Sequence, residues 1–316
     1  ADYFDGIWQT NYSQGKLYGV PWYVDTRVLF YRSDLLREAG FDHPPRTWSE
    51  WMTMMGAMKQ KSGRKDFYPI LLPTDEWGQP VILAMANGAP MVAEDGRAEF
   101  LDPKFIEAFN FYLQMFRRGY APVLPATLIA NLYQQFAEGE FASFVNGPWH
   151  VGEIRRRLPE EFQSRWATAP MPAPDGKPYP GVSLAGGSSL SLIRNSTHKA
   201  EAWQFIEFLM TPAQQLKLYE LSGDMPAVKS VWEAPVLARD DKLRAFRIQL
   251  DRTEPTPAIP EWEHVTVVIF EQGELAARGQ FDAQTAAARI QSRVNDMLVK
   301  RRWVMSRAQS SALQNR

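Results

Sequence analysis

Eleven tryptophans, 11 tyrosines and 18 phenylalanines stand in this 316-residue sequence. Five of the tryptophans, Trp8, Trp22, Trp77, Trp149 and Trp262, fall in polar or turn-like surroundings. An indole at a turn offers a flat apolar face with few rotatable bonds, the kind of surface on which a sugar ring stacks. The same residue type also fills cores, so each of the five has two readings, platform or packing. Gly186-Gly187-Ser188-Ser189 is a second feature of interest. It is either a place where backbone can approach a ligand closely or a plain turn entering a strand.

Other chemistries find little support. There is no Gly-x-x-x-x-Gly-Lys-Ser/Thr, no Gly-x-Gly-x-x-Gly and no Gly-x-Ser-x-Gly in the sequence. Cysteine is absent, which removes disulfides, thiolate zinc sites and thiol nucleophiles together. The histidines are His43, His150, His198 and His264, too scattered for a helical metal pair or a local Ser-His-Asp triad. Asp75, Glu76, Asp95 and Glu261 sit in turn contexts. A glycosidase pair is formed only in space, so these acids read either as such a pair or as solvated surface. Arg155-Arg156-Arg157 and Lys300-Arg301-Arg302-Trp303 read as charge at helix C-termini.

The elements that must position the tryptophans follow from local signals. Gly19 to Tyr31 is rich in β-branched and aromatic residues and reads as one extended segment. Thr47-Trp-Ser-Glu50 is a capping box that starts a helix over 48–61. Residues 68–72 read as a short strand, with a helix after Pro80 to about 86. Asp102-Pro103 opens a helix to Arg118 with Phe105, Phe109, Tyr112 and Phe116 on one stripe. Phe141 to Val145 is a strand, and Gly147-Pro148 turns into a helix carrying Trp149. Residues 170–182 have loop chemistry, and Ser188 to Ile193 reads as a strand. Helices follow over 199–210, 212–221, 239–251, 261–276 and 283–302. Ser306 to Arg316 lacks apolar periodicity and reads as a loose tail.

Short strands alternating with longer helices give an α/β architecture, and the length favours two domains. Lys plus Arg total 35 and Asp plus Glu total 36, a net charge of −1 with no overall pull toward nucleic acid. No apolar run reaches the length of a membrane span. The sequence opens on Ala-Asp-Tyr-Phe, without an initiator Met or a signal peptide, which reads as a processed or truncated end.

Five segments together resemble the extracellular solute-binding proteins of ABC importers, the family that includes maltose- and maltodextrin-binding proteins. They are Gly15-Lys-Leu-Tyr-Gly-Val-Pro21 with Asp25-Thr26 and Leu29 to Leu35; Ala39-Gly40 with Pro44 to Glu50; Phe144-Val-Asn-Gly-Pro-Trp149; Gly186 to Ile193 with the helix around Trp203; and Pro257 to Trp262. The resemblance runs from about residue 12 to 303, and its strength lies in the order and spacing of motifs that are weak singly. It implies a periplasmic-binding-protein-like fold of type II, two lobes joined by a hinge, with 1–27 and 185–222 in the first lobe, 28–184 and 223–303 in the second, and 304–316 a tail. The family's opening strand–helix repeats have no counterpart here, so the first lobe is expected to be incomplete and the natural protein longer.

The same resemblance implies capture of a sugar or oligosaccharide in the cleft between the lobes, without catalysis and without a cofactor. Delivery to the transmembrane subunits of an ABC permease would follow. A monomer is expected, periplasmic or extracellular, with a lipid anchor an option at an N-terminus beyond this sequence. Trp149, then Trp77 and Trp22, are the expected stacking platforms. Asp25, Asn146 and the Gly186-Gly187 backbone are the expected hydrogen-bonding groups; Trp262 is a further candidate, and Arg27 serves as a cleft charge or a salt bridge. The alternatives are the same fold serving a phosphorylated polyol or a polyamine, or a carbohydrate-active hydrolase with an aromatic cleft.

Overall fold

The computed structural model of the chain describes residues 2–13 and 15–314. It divides into two compact units, residues 1–71 with 131–256, and residues 72–130 with 257–316. This grouping cuts the chain at other places than the lobes expected above. Strands β1 (Val20–Asp25), β2 (Val28–Arg32), β3 (Ser143–Asn146), β4 (Trp166–Ala169), β5 (Gly186–Leu190) and β6 (Met225–Pro226) organise the first unit. Its main helices are α1 (Trp48–Ser62), α4 (Trp149–Arg157), α5 (Lys199–Leu209), α6 (Pro212–Ser222) and α7 (Asp241–Leu250). The second unit is built on α2 (Gly78–Ala86), α3 (Pro103–Arg117), α8 (Trp262–Ala277), α9 (Ala283–Met297) and α10 (Val299–Gln314).

The run from Gly19 to Tyr31 is two strands, not one. Residues Thr26 and Arg27 break it, and its halves enter different three-stranded sheets, β5–β1–β6 and β3–β2–β4. All four pairings are antiparallel. The break is hidden in the sequence because the β-forming residue types continue on both sides of it. Around β2 the core is aromatic: Phe30 stacks on Phe144 at 4.8 Å and on Trp166 at 6.1 Å between ring centres, with Phe246 of α7 edge-on at 5.9 Å. In the other sheet the Gln215 side chain, buried on α6, accepts from the Ala227 N–H and donates to the Trp22 carbonyl, tying α6 to both β1 and the chain after β6.

The capping signals are realised. Thr47 Oγ1 accepts the Glu50 N–H at 3.2 Å, and Asp102 Oδ1 accepts the Lys104 N–H at 2.8 Å. In the second unit Phe105, Phe109, Tyr112 and Phe116 of α3 are all buried, as their spacing requires. There Gln291 of α9 accepts from the Phe100 N–H and donates to the Ala98 carbonyl, which fixes a short hairpin against the helices. Two expectations are corrected. Residues 68–72 make only single bridges, Tyr68 to Phe141 and Leu71 to Phe144, rather than a strand. The segment expected as a loose tail is helical to Gln314, since its Ala, Gln, Arg and Leu carry helix propensity without an apolar stripe; Asn315 and Arg316 lie outside the described residues.

Candidate functional site

Trp149 is the first residue of α4, delivered there by β3 and the Gly147-Pro148 turn. Asn146 ends β3 opposite Val28, and its Oδ1 accepts the Gly147 N–H at 2.9 Å, which shapes the turn. The indole is 46% exposed, well above the other tryptophans expected in a site. Arg27, at the break between β1 and β2, lays its guanidinium 4.7 Å from the centre of the Trp149 ring. Its Nη1 donates to Asp25 Oδ1 at 2.6 Å. Asp25 pairs in register with Gly186, and a Cβ at Gly186 would collide with the Asp25 carboxylate. Gly187 takes a φ of 115°, a conformation suited to glycine, and packs directly on the backbone of Tyr23 and Val24.

Asp25, Arg27, Asn146, Trp149, Gly186 and Gly187 are therefore gathered in the first unit. Trp22 lies in the same unit, at the point where the β1–β5 register shifts, and its ring centre is 5.9 Å from that of Tyr23. The residue that shares the Asp25 face is Tyr23, whose hydroxyl accepts from Ser188 at 3.0 Å. Period-2 alternation could have singled out Tyr23, had the strand's register been known. Another neighbour escaped the sequence reading: His150 is buried in the ring cluster of Phe30 and Phe144, with Nδ1 2.9 Å from the Tyr133 hydroxyl. Burial, helped by the Arg27 charge, pushes its pKa down to about 4, so the ring is neutral at pH 7.

A groove of about 460 Å³ runs along α4 beside Trp149, walled by Gly152, Arg155, Tyr219, Gly223 and Met225. Its charge is locally balanced, since Arg155 is held by Asp240 through two N–H donors at 2.7 Å and Arg156 and Arg157 both pair with Glu153. A smaller cavity of about 300 Å³, near Arg32, Met58 and Phe67, contains none of the candidate residues. Among the described residues no group of His, Asp and Glu is placed to hold a metal ion. No described helix is long and apolar enough to cross a membrane.

The other two tryptophans meet in the second unit. Trp77, half-buried just before α2, and Trp262, buried as the first residue of α8, are edge to face with ring centres 6.3 Å apart. The buried Trp262 Nε1 and the buried Oε1 of Gln79, on α2, both lack a hydrogen-bond partner among the described residues.

The profile of the bacterial extracellular solute-binding proteins matches residues 1–245. The chain belongs to that family. It is similar to the sugar-binding protein MalE of Xanthomonas citri, with 39% identity and a TM-score of 0.93 over 96% of this chain and 76% of that one. The fold is thus the periplasmic-binding-protein fold of MalE. More distant relatives include a binding protein of Brucella abortus (strain 2308), 25% identical over 79% of this chain and 60% of its own length. A maltooligosaccharide ABC transporter solute-binding lipoprotein of Streptococcus pneumoniae (strain R6) is 25% identical over 87% of this chain and 64% of its own length. The chain therefore spans less than two thirds of these curated relatives, whose members are binding proteins rather than enzymes.

Proposed function

We propose that this chain is the solute-capturing component of an ABC importer and that its solute is a sugar or oligosaccharide. The observation that carries the reading is the half-exposed Trp149 indole, set at a helix start beside the Asp25–Arg27 pair and a groove in a chain of the MalE family. An indole face takes the apolar side of a pyranose, and a carboxylate and an amide at its rim suit hydroxyls. Asp25 meets the Arg27 charge, which favours a neutral ligand over a phosphorylated polyol. Asn146 and the Gly186-Gly187 backbone are the candidate polar contacts beside Trp149, and Trp77 and Trp262 are candidate aromatic residues of the second unit. Trp22, whose ring adjoins that of Tyr23, is a further stacking candidate.

In this reading residues 1–27 and 185–222 form one lobe and 28–184 with 223–303 the other. Ligand contacts favour the closed arrangement, which docks on the permease. The protein acts as a monomer, periplasmic or extracellular, and leaves the sugar chemically unchanged. Isothermal titration with a panel of mono- and oligosaccharides tests it. One saccharide should bind and raise Tm with the logarithm of one plus its concentration over Kd. Trp149→Ala should weaken that Kd about thirtyfold, the scale of a lost aromatic contact of about 2 kcal/mol. Cleavage of the saccharide, or undiminished binding by the variant, would overturn the reading.

A further inference from the structure

Arg27 does more at this site than balance charge. Its guanidinium lies over the very ring that a sugar would use. Asp25 holds it there through Nη1, and Asp25 is itself seated against Gly186. The Gly147 backbone packs against the six-membered part of the same indole. A pyranose needs van der Waals contact with a bare indole face, and the face under Arg27 is not bare. The hold on Arg27 is modest. Its side chain and that of Asp25 remain 24% and 19% exposed, and the pair is joined through a single guanidinium nitrogen. An ion pair and a cation–π contact of this exposure are each weak, so a ligand that offers more stacking area can replace them.

We infer that Arg27 is a specificity-determining residue that competes with the sugar ring for Trp149, covering the indole when the site is empty and leaving it when a ring stacks. The inference rests on the sugar-binding reading above. It selects for rings that cover the indole broadly, against small ligands that only hydrogen-bond at its rim. Release of the guanidinium also frees the Asp25 carboxylate to accept ligand hydroxyls.

The test is isothermal titration of the intact protein with maltotriose and a panel of other saccharides, on wild type, Arg27→Ala, Arg27→Gln, Trp149→Ala and the Arg27→Ala/Trp149→Ala double variant. Arg27→Ala should bind the best saccharide about fivefold tighter, the scale of one part-buried ion pair and the cation–π contact beside it removed from the competition. Arg27→Gln, which keeps an amide for Asp25 and loses the cation, should shift the same way. The gain should vanish in the Trp149→Ala background, which a merely structural role for Arg27 would not produce. Wild-type binding with equal or weaker binding by both Arg27 variants would overturn the inference and leave the sugar reading standing. Absence of binding by wild type and Arg27→Ala alike, across the panel, would bring down both.

Discussion

Strands β1 and β2 come from one continuous aromatic and β-branched stretch, yet the two three-stranded antiparallel sheets they enter differ in how they are covered. Around β2 the sheet is covered on both sides: Val28, Leu29 and Phe30 are buried, and four rings close on Phe30. Around β1 the edge strand β5 is mostly exposed, and α5 buries only Ile206 while Phe205 and Phe208 stand 60% and 50% exposed. An apolar residue contributes stability only through the area a partner removes from water. The same residue types therefore carry the fold in one sheet and contribute little in the other. The site sits on the seam, since Asp25 belongs to β1 and Arg27 to the break.

The largest effect that would break this comparison is in the buried sheet. Phe30→Ala removes a ring at 0% exposure and should cost about 3–5 kcal/mol, read as a drop in the urea midpoint. A cost under about 1 kcal/mol would mean that the β2 sheet is not the denser of the two.

His150 extends that test to pH. Its folded pKa of about 4 lies below the ordinary 6.5, so the native state resists a proton that the unfolded chain accepts. The stability so conferred is fully present above about pH 6.5 and is lost as pH falls toward 4, on the order of 3 kcal/mol in all. Urea midpoints measured from pH 7 to 4 should show this slope, and His150→Phe should flatten it. An unchanged slope in the variant would assign the acid sensitivity to other groups.

Within the half-covered sheet, Gln215 is the residue expected to matter. Gln215→Leu leaves the Ala227 N–H and the Trp22 carbonyl without their buried partner and should cost about 2 kcal/mol. The effect sharpens the contrast, because hydrogen bonds rather than ring packing would then hold β1 to α6.

Much of this was readable before the structure, and what was not has a physical cause. The Thr47 and Asp102 caps and the Phe105-to-Phe116 stripe are local, so sequence spacing specifies them. The division at Thr26-Arg27 is set by which strands lie alongside, residues more than a hundred positions away, and residue type alone does not register it. The Trp149 turn was legible from Asn146-Gly147-Pro148, but the guanidinium on its ring was not, for the same reason of distance along the chain. Trp22 and Tyr23 are both aromatic and adjacent, and the register shift with β5 that falls at Trp22 leaves no mark in residue type. His150 was one of four scattered histidines until the ring cluster closed around it.

The smallest expected effect is the sharpest test of the contrast. Phe205 is an apolar residue in the middle of a helix, the type and place at which truncation often costs several kcal/mol. Here its ring touches little beyond Phe208, 6.5 Å away between centres, and most of its surface already meets water. Serine has a lower helix propensity by only a few tenths of a kcal/mol. Phe205→Ser should therefore shift stability by no more than about 0.5 kcal/mol while lowering any tendency to self-associate, read by urea unfolding and light scattering side by side. A cost above about 1.5 kcal/mol would mean that the α5 face is covered in solution, and the asymmetry between the two sheets would then belong to the isolated chain rather than to the working protein.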